Sequence, residues 1–210
     1  GAERLGAMGG GHGRHQGQVT DRQRADSMLD GDRVDAVASG ELRGNLGEHG
    51  VAIMSVREGI DFGTVVTTDS APLHGLVDAM LGAGGAAVHA LRDPTRGGLV
   101  AAVVEIARSA GVGVELDEAS IPVPDTVASA CSFLGLDPLQ VANEGKIVAF
   151  VAPEDSDAVL DAMRARPEGT RAAVIGRVVG DHPGMAVGRT AFGTTRVIER
   201  ELGEQLPRIC

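Results

Sequence analysis

The sequence predicts an α+β fold, a layered sandwich of helices packed on a mixed sheet. Three observations point there. Short runs rich in β-branched residues alternate with stretches of helical periodicity, and the chain closes on a series of strands. Its 210 residues suit one domain of good size with an arm. Apolar residues make up 43 % and aromatics only 2 %, so aliphatic and alanine packing must build the core.

Residues 1–30 are glycine-rich and polar, as in Gly9-Gly10-Gly11-His12-Gly13, and read as a flexible arm. His12 and His15 have a spacing that metal ligands use, but no cysteine or carboxylate converges on them, and no metal site is expected. The fold proper is expected over 31–200. Val34–Val37 reads as a short strand, and Val51–Val56 as the start of a helix ended by Gly59. Asp69 or Ser70 is placed to cap a helix through Leu73, Leu76, Val77 and Met80, stopped by Gly82–Gly85. Ala86–Leu91 follows as a strand. Gly111–Leu116 is a strand, Ile121–Pro124 a stiff connection, and Asp125 the expected cap of a helix through Val127, Ala130, Cys131 and Leu134. Cys131 lies on that helix's apolar face and reads as a small core residue. Ile147–Val151 is the clearest buried strand. A helix with an acidic first turn carries Val159, Leu160 and Met163, and Ala172–Val179, Met185–Val187 and Thr195–Ile198 finish as strands.

Two stretches carry candidate chemistry. In Arg92-Asp93-Pro94-Thr95-Arg96-Gly97-Gly98, Asp93 followed by Pro94 reads as a helix cap with proline at the first helical position. Leu99, Val103, Ile106 and Ala110 then share one face. Bare amides at Gly97 and Gly98, beside Arg92 and Arg96, suit an anion; a tightly packed strand-to-helix turn is the equal alternative. In Asn143-Glu144-Gly145-Lys146, an amide, a carboxylate and the only lysine meet where the central strand begins. The Glu144 carboxylate there can act as a base or hold an amide substrate; a locally paired polar strand edge is the favoured alternative.

The last residues, Pro207-Arg208-Ile209-Cys210, place a thiol at the end of a charged segment, 201–210, that reads as a tether. A free cysteine titrates near about 8.5. The neighbouring α-carboxylate disfavours a second negative charge, so the thiol needs activation by whatever site receives it.

The net charge of −10 and pI near 5.0 argue against nucleic-acid partners and against an anionic membrane surface. No apolar run approaches a membrane span, and no charged-then-apolar leader pattern is visible. Two cysteines build no disulfide framework, so a reduced, cytoplasmic protein is expected.

These residues resemble the family of hydrogenase expression/formation protein HypE, over its C-terminal half. The matching stretches are His49-Gly50 to Gly59, Asp69-Ser70-Ala71-Pro72-Leu73, Arg92 to Gly98, Leu136-Asp137-Pro138-Leu139, Ala142 to Lys146, and Pro207 to Cys210. The Asp-Pro-Thr-Arg-Gly-Gly stretch is shared with aminoimidazole ribonucleotide synthetase-like proteins, whose C-terminal domain the fold is expected to resemble. The Pro-Arg-Ile-Cys ending narrows the resemblance to the one family.

The resemblance implies a role in nickel–iron hydrogenase maturation. A carbamoyl group arrives from the carbamoyltransferase HypF on the Cys210 thiol. ATP, with Mg, activates the thiocarboxamide oxygen, Glu144 takes the N–H proton, and a thiocyanate results. The cyano group then passes to iron on the HypC–HypD complex. Arg92, Asp93, Thr95, Arg96, Gly97, Gly98, Asn143 and Lys146 would serve the nucleotide and its anionic intermediates. The family's N-terminal ATP-binding domain, with its Gly-Asp-Thr-Lys stretch, has no counterpart here, and Val104 stands before Glu105 where many family members place Asn or His. A separate N-terminal domain or a homodimer is the implied complement. Two activities stay open: ATP-dependent dehydration at Cys210, and a carrier module or truncated remnant that does not use ATP alone.

Overall fold

The computed structural model describes residues 34–40, 46–60, 62, 68 and 70–200. The expectations for the 1–30 arm and the 201–210 tail with Cys210 lie outside the described residues. The helix expected to be capped by Asp69 or Ser70 starts only at His74, with Leu73 in the cap position. In chain order the elements are β1 (Val34–Gly40), α1 (Glu48–Glu58), α2 (His74–Gly84), β2 (Val88–Arg92), α3 (Gly98–Ala110) and β3 (Gly113–Asp117). They continue with α4 (Asp125–Leu134), β4 (Lys146–Val151), α5 (Pro153–Arg164), β5 (Ala173–Val179), β6 (Ala186–Arg189) and β7 (Thr195–Ile198). The strands form a seven-stranded sheet in the order β2-β4-β1-β5-β3-β6-β7. It is mixed, as expected: β3 and β6 run parallel, and the other neighbours are antiparallel.

β4 shows how the layers arise. All six of its residues are buried, so it lies between β2 and β1 with both faces covered. Side chains alternate across a strand. Val148 and Phe150 therefore join the core under α3, with Leu99, Val103, Ala107, Leu116, Ile175 and Ile198. Ile147, Ala149 and Val151 face the other way, toward Leu76 and Met80 of α2 and Val159, Leu160 and Met163 of α5. A smaller cluster joins Val51 of α1 to Val127, Ala130 and Cys131 of α4, over Val141. The result is helices on both faces of a mixed sheet.

The helix starts differ from the sequence expectations. α3 begins at Gly98, with Gly97 as its cap at φ 79°, and Asp93 is not the cap. The Gly98 amide instead closes a turn onto the Thr95 carbonyl at 3.0 Å. Two successive glycines at positive φ permit that turn, which uses up the residues between Pro94 and the helix. α4 is entered from Pro124, and Asp125 is its first residue. A carboxylate in the first turn still suits the helix dipole. α1 starts at Glu48, earlier than Val51, and Ala86–Ala87 lie in a 3-10 turn before β2.

Candidate functional site

The antiparallel register sets Arg92 of β2 beside Val148 of β4. The chain leaving β2 and the chain entering β4 therefore meet at one end of the sheet. Two further segments arrive there. The start of α1 is tied in by the Gly50 amide, which donates to the Ala142 carbonyl at 3.1 Å. Gly98 lies so close to the 139–141 loop that a Cβ on it would stand 2.5 Å from the Leu139 carbonyl and 2.6 Å from that of Val141.

Asn143 is the fastener. It is fully buried. Its Oδ1 accepts from the Gly47 amide at 2.6 Å, and its Nδ2 donates to the carbonyls of Pro94 at 3.1 Å and Val141 at 2.9 Å. Its own amide donates to the Pro94 carbonyl at 3.2 Å. Both side-chain hydrogens are thus committed to backbone. Asn143 holds three loops together and offers no free donor to a substrate.

The other sequence candidates divide by exposure. Arg92 pairs with Glu105 of α3 at 2.7 Å, both well exposed, so the pair is weak and exchangeable for another anion. Asp93 and Arg96 are exposed, and Thr95 is half-buried with its carbonyl in the Gly98 turn. Glu144 is half-buried and Lys146 is buried, and both, like Arg96, have interaction partners. Among the bare amides expected to meet an anion, that of Gly98 is already bonded. Val104 of α3 is itself buried in the main core, where its role is packing.

Sequence reasoning placed His49 only in a family motif, not in the site. Its ring is buried at the start of α1, with Nδ1 2.8 Å from the Thr68 hydroxyl, which in turn lies 3.0 Å from that of Ser70. Nε2 is buried with no hydrogen-bond partner among the described residues. The His-Gly pair before an apolar helix was the available signal.

β7 brings the end of the described chain to the same place. Ile198 is buried under α3, and two residues later the Arg200 Nε lies 3.9 Å from where a Cβ on Gly97 would stand. From there residues 201–210, fully extended, reach at most about 33–36 Å. Among the described residues no group of three or more His, Cys, Asp or Glu is placed to hold a metal ion, and no helix is long and apolar enough to cross a membrane. A cleft of about 430 Å³ lies on the solvent face of β3, β5 and β6, lined by Glu115, Asp117, Arg177, His182 and Arg189. It shares no residue with the loop end.

A two-layer arrangement of helices about this sheet, with four loops locked at one end, defines a domain class. Residues 30–188 match the family described as AIR synthase related protein, C-terminal domain, and the chain belongs to that family. Within it, the chain is similar to the C-terminal half of HypE. It is 53 % identical over 181 residues to the carbamoyl dehydratase HypE of Rhizobium leguminosarum bv. viciae, covering 85 % of this chain and 52 % of that one. A crystal structure of hydrogenase maturation protein HypE superposes with TM-score 0.77 at 39 % identity, over 84 % of this chain and 56 % of that one. HypE in complex with ATP gives 0.76 at 37 % (86 % and 53 % covered), and a HypE–HypF complex gives 0.74 at 36 % (81 % and 53 %). The chain spans about half the length of the relatives it matches.

Proposed function

We propose that this chain is the acceptor half of a carbamoyl dehydratase that serves nickel–iron hydrogenase maturation, with Cys210 as the group that carries the carbamoyl. The observation that carries the reading is the path of the chain after β7. Arg200 lies against Gly97, so the tail starts at the loop-crowded end of the sheet and Cys210 is within tether reach of it. Similarity to HypE, known in complex with HypF and with ATP, supports HypF as carbamoyl donor and ATP as co-substrate.

In this reading the Cys210 thiolate forms an S–C bond to the carbamoyl carbon as the bond from that carbon to the activated donor breaks and the donor's leaving group departs. The amide oxygen then takes the γ-phosphoryl group of ATP. Phosphorylation releases ADP and one N–H proton to give an imidate phosphate. Phosphate then leaves with the oxygen as the second N–H proton departs, Glu144 being the base proposed for this proton transfer, and a thiocyanate remains. Phosphorylation is needed because the amide oxygen is a poor leaving group and phosphate is a good one. Arg92, by exchanging Glu105 for an anion, and Arg96 supply positive charge. Mg and the rest of the nucleotide contacts fall to the N-terminal half of a HypE-like assembly. The cyano group is passed to iron on a HypC–HypD complex, inside the cell. The S–C bond breaks with two electrons supplied by that receiving complex, and the Cys210 thiolate is returned.

One observation favours a second reading, a carrier module that does not use ATP alone. The Gly98 amide and the Asn143 amide, two groups expected to serve a nucleotide, are spent on backbone. Incubation with an active carbamoyltransferase, carbamoyl phosphate and ATP, read by mass spectrometry of the C-terminal peptide, tests both. A carbamoyl adduct on Cys210 that then loses the elements of water supports the dehydratase. An adduct that persists, with no ATP binding by calorimetry even when a HypE N-terminal half is added, leaves the carrier. An unmodified Cys210 overturns both.

A further inference from the structure

The cleft of about 430 Å³ on the solvent face of β3, β5 and β6 has the size of a small-molecule site. Its two guanidiniums are held unequally. Arg177 Nε and Nη2 both donate to Glu115 Oε2, at 2.8 and 2.6 Å. Arg189 Nη2 stands 3.5 Å from Asp117 Oδ2, beyond the usual length of a hydrogen bond, and that oxygen already accepts the Ser120 hydroxyl at 3.1 Å. Arg189 is 63 % exposed, so its fork of donors is available to another oxyanion. The β6–β7 register sets Thr195 directly opposite Arg189, which puts a hydroxyl beside the guanidinium at that end of the cleft.

His182 lines the other end. The Gly184 amide donates to the Val112 carbonyl at 2.9 Å, which fixes the His182 turn at the start of β3, whereas Arg189 pairs with Asp117 at the end of that strand. About 13 Å of strand separates the two. His182 has φ 56° and is the only non-glycine residue with positive φ among the described residues. It also precedes Pro183, which biases its neighbour toward extended backbone. Glycine would take this conformation freely, and the same turn already uses Gly180 and Gly184. The Met185 amide, bonded to the His182 carbonyl at 2.9 Å, holds the conformation in place. Such strain clusters at sites that bind or react.

We propose that this cleft binds a small hydroxylated carboxylate, with its carboxylate on Arg189 and Thr195 and its hydroxyl-bearing body along Glu115 toward His182. The charges decide the class of ligand. Glu115, Asp117, Arg177 and Arg189 cancel, so the cleft suits a single negative charge better than a doubly charged phosphate ester. A planar carboxylate also matches the two-pronged donors of Arg189. The cleft's own carboxylates explain the hydroxyls. Each is held through one oxygen, Oε2 of Glu115 and Oδ2 of Asp117, and the second oxygen can accept from a ligand hydroxyl. A body without donors would meet two carboxylates with nothing to give them. The site shares no residue with the loop end and is independent of the reading of Cys210.

The test is an NMR titration of the whole isotope-labelled chain with gluconate. Acetate, a hexose phosphate and sodium chloride serve as the other arms at matched ionic strength. Gluconate should give saturable amide shifts at Gly176, Val187 and Thr195, with a Kd on the order of 1 mM, and none at Gly98 or Asn143. Acetate, the head alone, should bind at least about fivefold more weakly, the worth of a hydrogen bond to the body. Arg189→Gln should weaken gluconate about tenfold, the loss of a charge-assisted grip. Should that change disturb β6, Thr195→Val reads the same end from the neighbouring strand, with a loss of about fivefold. His182→Gly should bring gluconate down to the level of acetate and leave acetate unchanged. Its urea midpoint should hold or rise, because strain is relieved. Shifts that do not saturate, or that chloride reproduces, overturn the proposal. So does gluconate binding that survives either Arg189→Gln or His182→Gly unchanged. Tighter binding of the hexose phosphate than of gluconate overturns it as well, since the head would then be a phosphate.

Discussion

The loop end of the sheet and the solvent face of β3, β5 and β6 both carry polar groups, but they hold them by opposite means. At the loop end, Asn143 is buried and bonded to Gly47, Pro94 and Val141, and Gly98 touches backbone directly. On the solvent face, Arg177 pairs with Glu115 at 2.6 Å and Arg189 with Asp117 at 3.5 Å, and all four side chains are at least 30 % exposed. A buried amide with every partner in place is costly to break, because the freed groups find no water. An exposed ion pair loses little, because water replaces the partner. The difference indicates where the fold requires one geometry, and that place is where Arg200, the last described residue, lies near Gly97.

The largest effect should come from Gly98→Ala. Gly98 sits at φ 63°, and the added Cβ would press on two backbone carbonyls that have no freedom to move aside. Strain and clash together should cost about 4 kcal/mol, read as a shift in the urea midpoint. A loss below about 1 kcal/mol would mean that the loop end is pliable and that the contrast with the solvent face is wrong. Asn143→Ala comes next. It leaves the buried Gly47 amide and Val141 carbonyl without their partner, a loss of about 3 kcal/mol. Asn143→Asp should be worse, since it keeps the acceptor but removes both donors and buries a charge.

Much of the fold could be read from the sequence, and the reason is local. β4 announced itself as an apolar run, and α2, α3 and α5 by apolar residues at helical spacing, because burial of one face writes that period into the chain. The loop end was located by its glycines and by Asn143, but the use of those residues was not legible. Asn143 meets Gly47 across 96 positions and Pro94 across 49, and Arg196 meets Glu118 across 78. No local pattern encodes such distances. The misplaced cap at Asp93 has the same origin, since a cap motif was outcompeted by a turn that only the tertiary contact of Gly98 explains. Cys131, by contrast, followed from its place on the apolar face of α4, and it supplies a pH test. Burial, aided by the Asp137 charge, raises its thiol from 9.0 to about 11. Between those values the folded chain keeps a proton that the unfolded chain has lost. Stability should therefore be unaffected by this group below pH 9 and fall as pH rises toward 11, by on the order of 2–3 kcal/mol. Cys131→Ala should remove that slope while lowering stability at neutral pH.

The smallest effect is expected on the solvent face, and it is the sharpest check of the comparison. Glu115 and Arg177 stand directly opposite each other on β3 and β5, with two hydrogen bonds from one guanidinium to one carboxylate oxygen. The geometry is good, yet Arg177 is half exposed, so most of the attraction is screened and part is lost to ordering two flexible side chains. Arg177→Ala should cost less than about 1 kcal/mol, and a double-mutant cycle with Glu115→Ala should give a coupling of about 0.5 kcal/mol that shrinks further in high salt. The buried Asn143 contacts should show no such salt dependence. A coupling at Arg177 as large as the loss at Asn143 would mean that the exposed face is as constrained as the buried junction. The physical ground for singling out the loop end as the working part of the molecule would then be gone.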